Sequence, residues 1–160
     1  MSQNPSFVID SMLGTIAKKM RILGFDSKYF ATIDDDDLIL LAKKENRAII
    51  TKDHQVADNA KKHDILTVDI TTHTEKDQLI EIAKKTGFTK YEFNPNIARC
   101  PICNGILHGV EKHQIIDKVP PKIAQNVKEF WICEDCKHIY WEGTHIRNLE
   151  KLIAEINGQL

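Results

Sequence analysis

Four cysteines stand in two Cys-x-x-Cys pairs, Cys100 with Cys103 and Cys133 with Cys136, and the 160-residue chain has no others. Two such pairs are the spacing of a four-thiolate tetrahedral zinc site. Disulfides are the first alternative. The opening Met1–Ser6 lacks the basic and apolar regions of a signal peptide, so a cytoplasmic protein is expected, where thiols stay reduced. A redox Cys-x-x-Cys is the second, and the presence of two pairs argues against it. The 29 residues between the pairs exceed the common ribbon spacing. An insertion is therefore expected, formed by Val119-Pro120-Pro121 and a helical Lys122–Lys128. Four thiolates complete zinc's shell, so His108, His113 and His138 are read as exposed or packed rings rather than ligands.

The rest of the composition is that of an ordinary globular chain, with 42% hydrophobic and 28% charged residues. It excludes a disordered tail, a collagen-like fibre and a coiled coil. Apolar runs such as Leu38–Ala42 are too short to cross a bilayer, so no membrane partner is expected. The net charge of −1 gives no global footprint of a nucleic-acid binder. Turn residues in Tyr91–Asn96 mark the expected boundary between residues 1–95 and 96–160.

Residues 1–95 read as repeated βα units. Phe7–Ile9, Lys28–Phe30, Ala48–Thr51 and Leu66–Val68 are expected strands. Met12, Leu13, Ile16, Ala17, Met20 and Leu23 recur at helical spacing until Gly24. Further helices are expected through Leu38–Asn46, over 54–62 and over Glu75–Lys85. Strands alternating with helices predict a doubly wound α/β parallel sheet. In the second part, Arg147–Ile156 reads as a terminal helix packing back on the body through Leu149, Leu152, Ile153 and Ile156. Trp131, Tyr140 and Trp141 would stack on bases or fill the ribbon core.

The aspartates fall at the strand ends. Asp10 follows the first strand, Asp34–Asp37 open the second helix, Asp53 follows the third strand, and Asp69 ends the fourth. In an open α/β sheet these ends face a common crevice. Carboxylates gathered there suit Mg²⁺ or Mn²⁺, which can activate a water against a phosphodiester. The same residues are preferred helix N-caps, so spacing alone leaves catalytic acids and caps both standing.

Several motifs occur in a fixed order: Phe7-Val-Ile-Asp10, Met12-Leu-Gly14, Met20-Arg-Ile-Leu-Gly-Phe-Asp26, the acids before Leu38, and Ile49-Ile-Thr-Lys-Asp53. Cys100-Pro-Ile-Cys-Asn-Gly105, Cys133-Glu-Asp-Cys136 and Tyr140-Trp-Glu-Gly-Thr-His145 follow. Together they resemble PIN-like ribonuclease domains, and within these the branch named for the C-terminal domain of the mutator exoribonuclease, often ending in a zinc ribbon. The resemblance covers roughly residues 7–150. It implies a PIN-like sheet followed by a zinc ribbon, and a Mg- or Mn-dependent ribonuclease acting on RNA, with a homodimer as one assembly.

By that resemblance the acids are Asp10, Asp53 and one of Asp34 to Asp36, of which Asp35 is favoured because it precedes Ala42 by seven residues. Asp69 is the candidate fourth acid. Lys52 stands where the family usually has arginine, and with Arg21 it is expected to meet the RNA backbone. His145 is expected to reach RNA or the acidic crevice. Cys100, Cys103, Cys133 and Cys136 would hold zinc. Phosphate contacts normally need clustered cations, so a basic face has to be assembled from scattered residues such as Lys18, Lys19, Arg21, Lys52, Arg99 and Lys122. The alternative function is a non-catalytic RNA-binding or assembly factor whose acids serve only as caps.

Overall fold

The computed structural model describes residues 4–160. Strands β1 (Phe7–Ile9), β2 (Ser27–Tyr29), β3 (Ala48–Thr51) and β4 (Thr67–Asp69) form a parallel sheet in the order β2-β1-β3-β4. Alternation divides their side chains between two cores. Phe7, Ile9, Ile50 and Val68 face α1 (Gly14–Ile22) and α4 (Glu75–Thr86). Val8 and Ile49, paired across β1 and β3, face α2 (Asp35–Glu45) and α3 (His54–Lys62) through Leu38, Ala42, Val56 and Ala60. The doubly wound α/β sheet expected from the sequence is thus the fold observed.

Local differences have local causes. The first helix is entered through a 3-10 turn over Ser11–Leu13. That turn swings Met12 out to 68% exposure instead of onto the apolar face. Strands β2 and β4 are shifted by one residue, so Asp69 lies in β4 and pairs with Thr51. Gly24 ends α1 in the left-handed region, at φ 93°, where a side chain would be strained.

The cysteine-bearing part contains an antiparallel sheet of β5 (Leu107–Val110), β6 (Phe130–Cys133) and β7 (Ile139–Tyr140), in that order. The insertion between β5 and β6 is present but is two short helices, α5 (Lys112–Ile115) and α6 (Pro121–Asn126), rather than one over Lys122–Lys128. Pro121 occupies the start of α6, where its fixed φ suits a first turn. Ile115, Val119 and Ala124 pack on Phe130 in a small core of their own. The last helix, α7 (Thr144–Asn157), begins three residues earlier than expected and returns to the α/β core with Leu149, Ile153 and Ile156. Burying those three side chains stabilises the fold by roughly 5–9 kcal/mol on area arguments. No helix among the described residues is long and apolar enough to cross a membrane.

A polar latch joins the two parts. Arg21, expected on the RNA backbone, is instead buried at 6% exposure. Its Nε donates to Ser27 O at 2.8 Å and its Nη1 to Pro101 O at 2.8 Å. A buried guanidinium must satisfy its donors, and carbonyls of β2 and of the first cysteine pair do so. Asn104 completes the latch, accepting from Ser27 N at 2.9 Å and donating to Asp26 Oδ1 at 2.7 Å. Asp26 in turn receives Arg47 in a two-pronged contact at 2.9 and 3.1 Å.

Candidate active site and metal centre

The carboxyl ends of the strands bring three of the expected acids to one end of the sheet. Asp10, buried, follows β1; its Oδ1 accepts from Ser11 N and its Oδ2 from the Thr51 hydroxyl, both at 2.8 Å. The same Thr51 oxygen accepts from Asp53 N at 3.0 Å. One buried hydroxyl therefore couples the acid after β1 to the acid after β3. Asp53 caps α3, its Oδ1 accepting from Gln55 N at 2.9 Å and Val56 N at 3.3 Å. Its carboxylate thus meets the first amides of α3 at the positive end of the helix dipole.

Asp35 lies in the first turn of α2, exposed, behind Asp34 at the N-cap. Its carboxyl is held above the usual carboxylate range by loss of surrounding water, then by repulsion from Asp53 and Asp10, with Asp36 and Asp34 adding less. The acid three segments away thus feels both strand-end acids. Asp34 and Asp36 are exposed, and Asp34 makes no side-chain capping bond. These carboxylates do not close on a common point: among the described residues, only the cysteines bring three or more metal-binding atoms within 4.8 Å of one another.

Asp69 is engaged elsewhere. Both its oxygens lie 2.8 Å from His54 Nδ1. That hydrogen bond and charge raise the imidazole pKa above its ordinary value. Sequence reasoning missed His54, although its place directly after Asp53 was a signal. Lys52 is half-buried beside Asp53, whereas His145 stands exposed in the first turn of α7.

The cysteines form the second site. Each pair makes the same turn. Asn104 N donates to Cys100 O and Cys100 N to Gly105 O, at 2.8 and 2.9 Å; Lys137 N donates to Cys133 O and Cys133 N to His138 O, both at 3.0 Å. The residue after each second cysteine is left-handed, Asn104 at φ 70° and Lys137 at φ 65°. Within each pair the first cysteine is buried and the second exposed.

The donor set fits zinc. Cys100 Sγ lies 3.6 Å from Cys136 Sγ, and Cys103 Sγ lies 3.4 Å from Cys133 Sγ. A tetrahedral site with bonds of about 2.3 Å separates its sulfurs by about 3.8 Å. Gly105 is part of the cradle: a Cβ there would sit 2.7 Å from Cys133 Sγ and 3.1 Å from Cys103 Sγ. The Tyr140 hydroxyl, 3.0 Å from Cys100 Sγ, supplies an outer hydrogen bond to a sulfur. Four protein thiolates leave no open position, so a zinc held here is structural.

A family model described as the Mut7-C RNAse domain matches residues 5–153. The chain belongs to the Mut7-C RNAse domain family. The match spans both the acid-bearing sheet and the cysteine pairs. No curated protein and no solved structure shows a significant match to the chain. Membership of the Mut7-C family makes the chain a ribonuclease-family protein with RNA as the substrate class, and its four clustered cysteines could bind zinc.

Proposed function

We propose that the protein is a divalent-metal-dependent ribonuclease that hydrolyses RNA phosphodiester bonds at Asp10, Asp35 and Asp53. In this reading it is a cytoplasmic enzyme of two parts, a PIN-like domain over residues 1–95 and a zinc ribbon over 96–160 that helps position RNA. The observation that carries it is the Asp10–Thr51–Asp53 chain, to which Asp35 adds a carboxyl whose charge is disfavoured by loss of water and then by repulsion from Asp53 and Asp10. A cluster that repels itself is one that a cation relieves.

Asp10 and Asp53 would hold Mg²⁺ or Mn²⁺ directly, and Asp35 directly or through a water. The ion, when bound, supplies a nucleophilic water and offsets charge on the phosphoryl oxygens. Thr51 fixes the rotamer of Asp10 by donating to Oδ2 and orders the backbone at Asp53. Lys52 lies beside Asp53 to meet the substrate phosphate. Asp69 acts one step removed, through its pairing with His54.

The test is cleavage of a labelled single-stranded RNA by the purified protein with Mn²⁺ or Mg²⁺. Asp10→Asn and Asp53→Asn should each lower the rate at least 100-fold while leaving the circular dichroism spectrum unchanged. Cleavage that survives both substitutions sinks the site. A second reading, a non-catalytic RNA-binding or assembly factor, is favoured by one observation: Asp10 and Asp53 both cap helical turns. It predicts RNA binding without metal-dependent cutting.

A further inference from the structure

A groove of about 750 Å³ lies between α1, the ribbon sheet and the first half of α7, and none of the aspartates lines it. Its wall carries Lys18 and Lys19 of α1, Arg99, Trp131, Trp141 and His145. Three of the six scattered cations from which a basic face has to be built thus meet at one place. Glu75 engages Lys19 at 2.7 Å, and Arg99 Nε donates to Asn104 O at 3.0 Å, which leaves Lys18 and the terminal nitrogens of Arg99 for an incoming anion; Glu142 is the other acid on the wall.

Two aromatic residues of the ribbon are accounted for by packing. Phe130 is buried, and Trp141 meets it edge-on at 6.2 Å between ring centroids, on the side of α5 and α6. Trp131 is different. Strand alternation turns it to the opposite face, and it joins none of the three buried apolar clusters. Across the sheet it pairs with Tyr140 on β7 and with Gly109 on β5. A side chain begun at Gly109 would meet nothing within 4 Å. One flank of Trp131 is therefore open where a packed sheet would have a neighbour. At the end of the groove Gly143 precedes α7 and has no side chain to cap it, so the positive end of the helix dipole lies there without a side-chain cap.

We propose that this groove binds single-stranded RNA, with a base stacked on Trp131 and phosphates held by Lys18, Arg99 and the first turn of α7. Exposed aromatic faces beside cations are how single strands are held without sequence preference. The groove follows α1 from Ile22 to Thr15, about 10 Å at 1.5 Å per residue. Thr15 lies five residues from Asp10, so a strand in the groove is led to the acidic end of the sheet. That direction rests on the ribonuclease reading; the binding does not.

The experiment uses the full chain and a single-stranded 2′-O-methyl oligoribonucleotide, which resists cutting. The chain has two tryptophans, Trp131 and Trp141, so stacking is read by fluorescence quenching and affinity by anisotropy. Quenching should fall to the share left by Trp141 in Trp131→Phe, with most of the affinity kept by the smaller ring. Trp131→Ala should weaken binding about tenfold. Gly109→Leu, which leaves Trp131 in place and fills the space beside it, should do the same, and Lys18→Glu should weaken binding and flatten its salt dependence.

Unchanged affinity in Trp131→Ala and Gly109→Leu overturns the proposal. So does equal binding of a duplex, or quenching by an amphipathic peptide where RNA gives none. If RNA is cut with Mn²⁺ while these variants bind normally, the groove assignment falls and the ribonuclease stands. If the oligonucleotide binds as expected and no RNA is cut, the outcome is the reverse.

Discussion

At the scale of single residues, two positions carry costs that substitution can expose. Gly105 sits against two cysteine sulfurs, and overpacking a filled site typically costs about 1–3 kcal/mol. Gly105→Ala should lower thermal stability by that order and weaken zinc retention against a competing chelator, measured by zinc release. Asp35 is the opposite case. Its raised pKa means that the ionised form opposes folding. The cost is present at pH values above the raised folded pKa and is relieved as pH falls through that value towards 3.8. Asp35→Asn should therefore raise the melting temperature at pH 7 without divalent ions, by about 1 to 2 °C for so exposed a group. The gain should shrink near pH 3, and also when Mn²⁺ is added. The sequence placed Asp10 and Asp53 at strand ends because hydrophobic periodicity locates those ends, and the cysteines in turns because the Cys-x-x-Cys spacing marks them. It could not separate Arg21 from a surface cation, because burial of a charged side chain depends on carbonyls of Ser27 and Pro101, the second of them 80 residues away.

At the scale of elements, the loop after β4 depends on one side chain of α4. Glu81 accepts from the amides and hydroxyls of both Thr71 and Thr72, and from Lys85 Nζ at 3.0 Å. Burial pushes its pKa up, but Lys85 and the threonines outweigh burial and bring it to about 2. A depressed carboxylate stabilises the fold at pH above its ordinary 4.5 and loses that contribution as pH falls towards about 2. Glu81→Gln should cost on the order of 2 kcal/mol at pH 7 and flatten the acid limb of the stability curve between those values, as chemical denaturation at several pH values would show. The long helices were legible, since ten or so residues repeat a period several times, and β3 was legible as a short, wholly buried apolar run. The insertion was legible as an interruption and not as α5 and α6, since helices of four and six residues hold too few apolar positions to set a period.

For the whole molecule, the latch makes the cysteine site part of the sheet's edge. Pro101 and Asn104 belong to the first cysteine turn, and Arg21, Asp26 and Ser27 to the α/β body. Zinc removal should therefore do more than loosen residues 96–160. Amide exchange at Ser27–Tyr29, the edge strand β2, should speed up when zinc is chelated. Arg21→Met should produce the same change with zinc still bound, with a loss of about 2–3 kcal/mol from its charged hydrogen bonds. Unchanged protection of β2 in both experiments would show the two parts to be independent.

The return of α7 to the α/β core sets an order of events during synthesis. Residues 4–95 leave the ribosome before α7, yet Leu149, Ile153 and Ile156 fill part of their core, and Asn157 exchanges two hydrogen bonds with the backbone of Tyr91 at 2.8 Å. Contacts between segments so far apart in the chain form late. The nascent acid-bearing half therefore waits, incompletely closed, until α7 is made, and a chain halted at Trp141 should be cut by protease within its first 95 residues where the full chain resists. Any hydrolytic capacity would then be born only once α7 has been made.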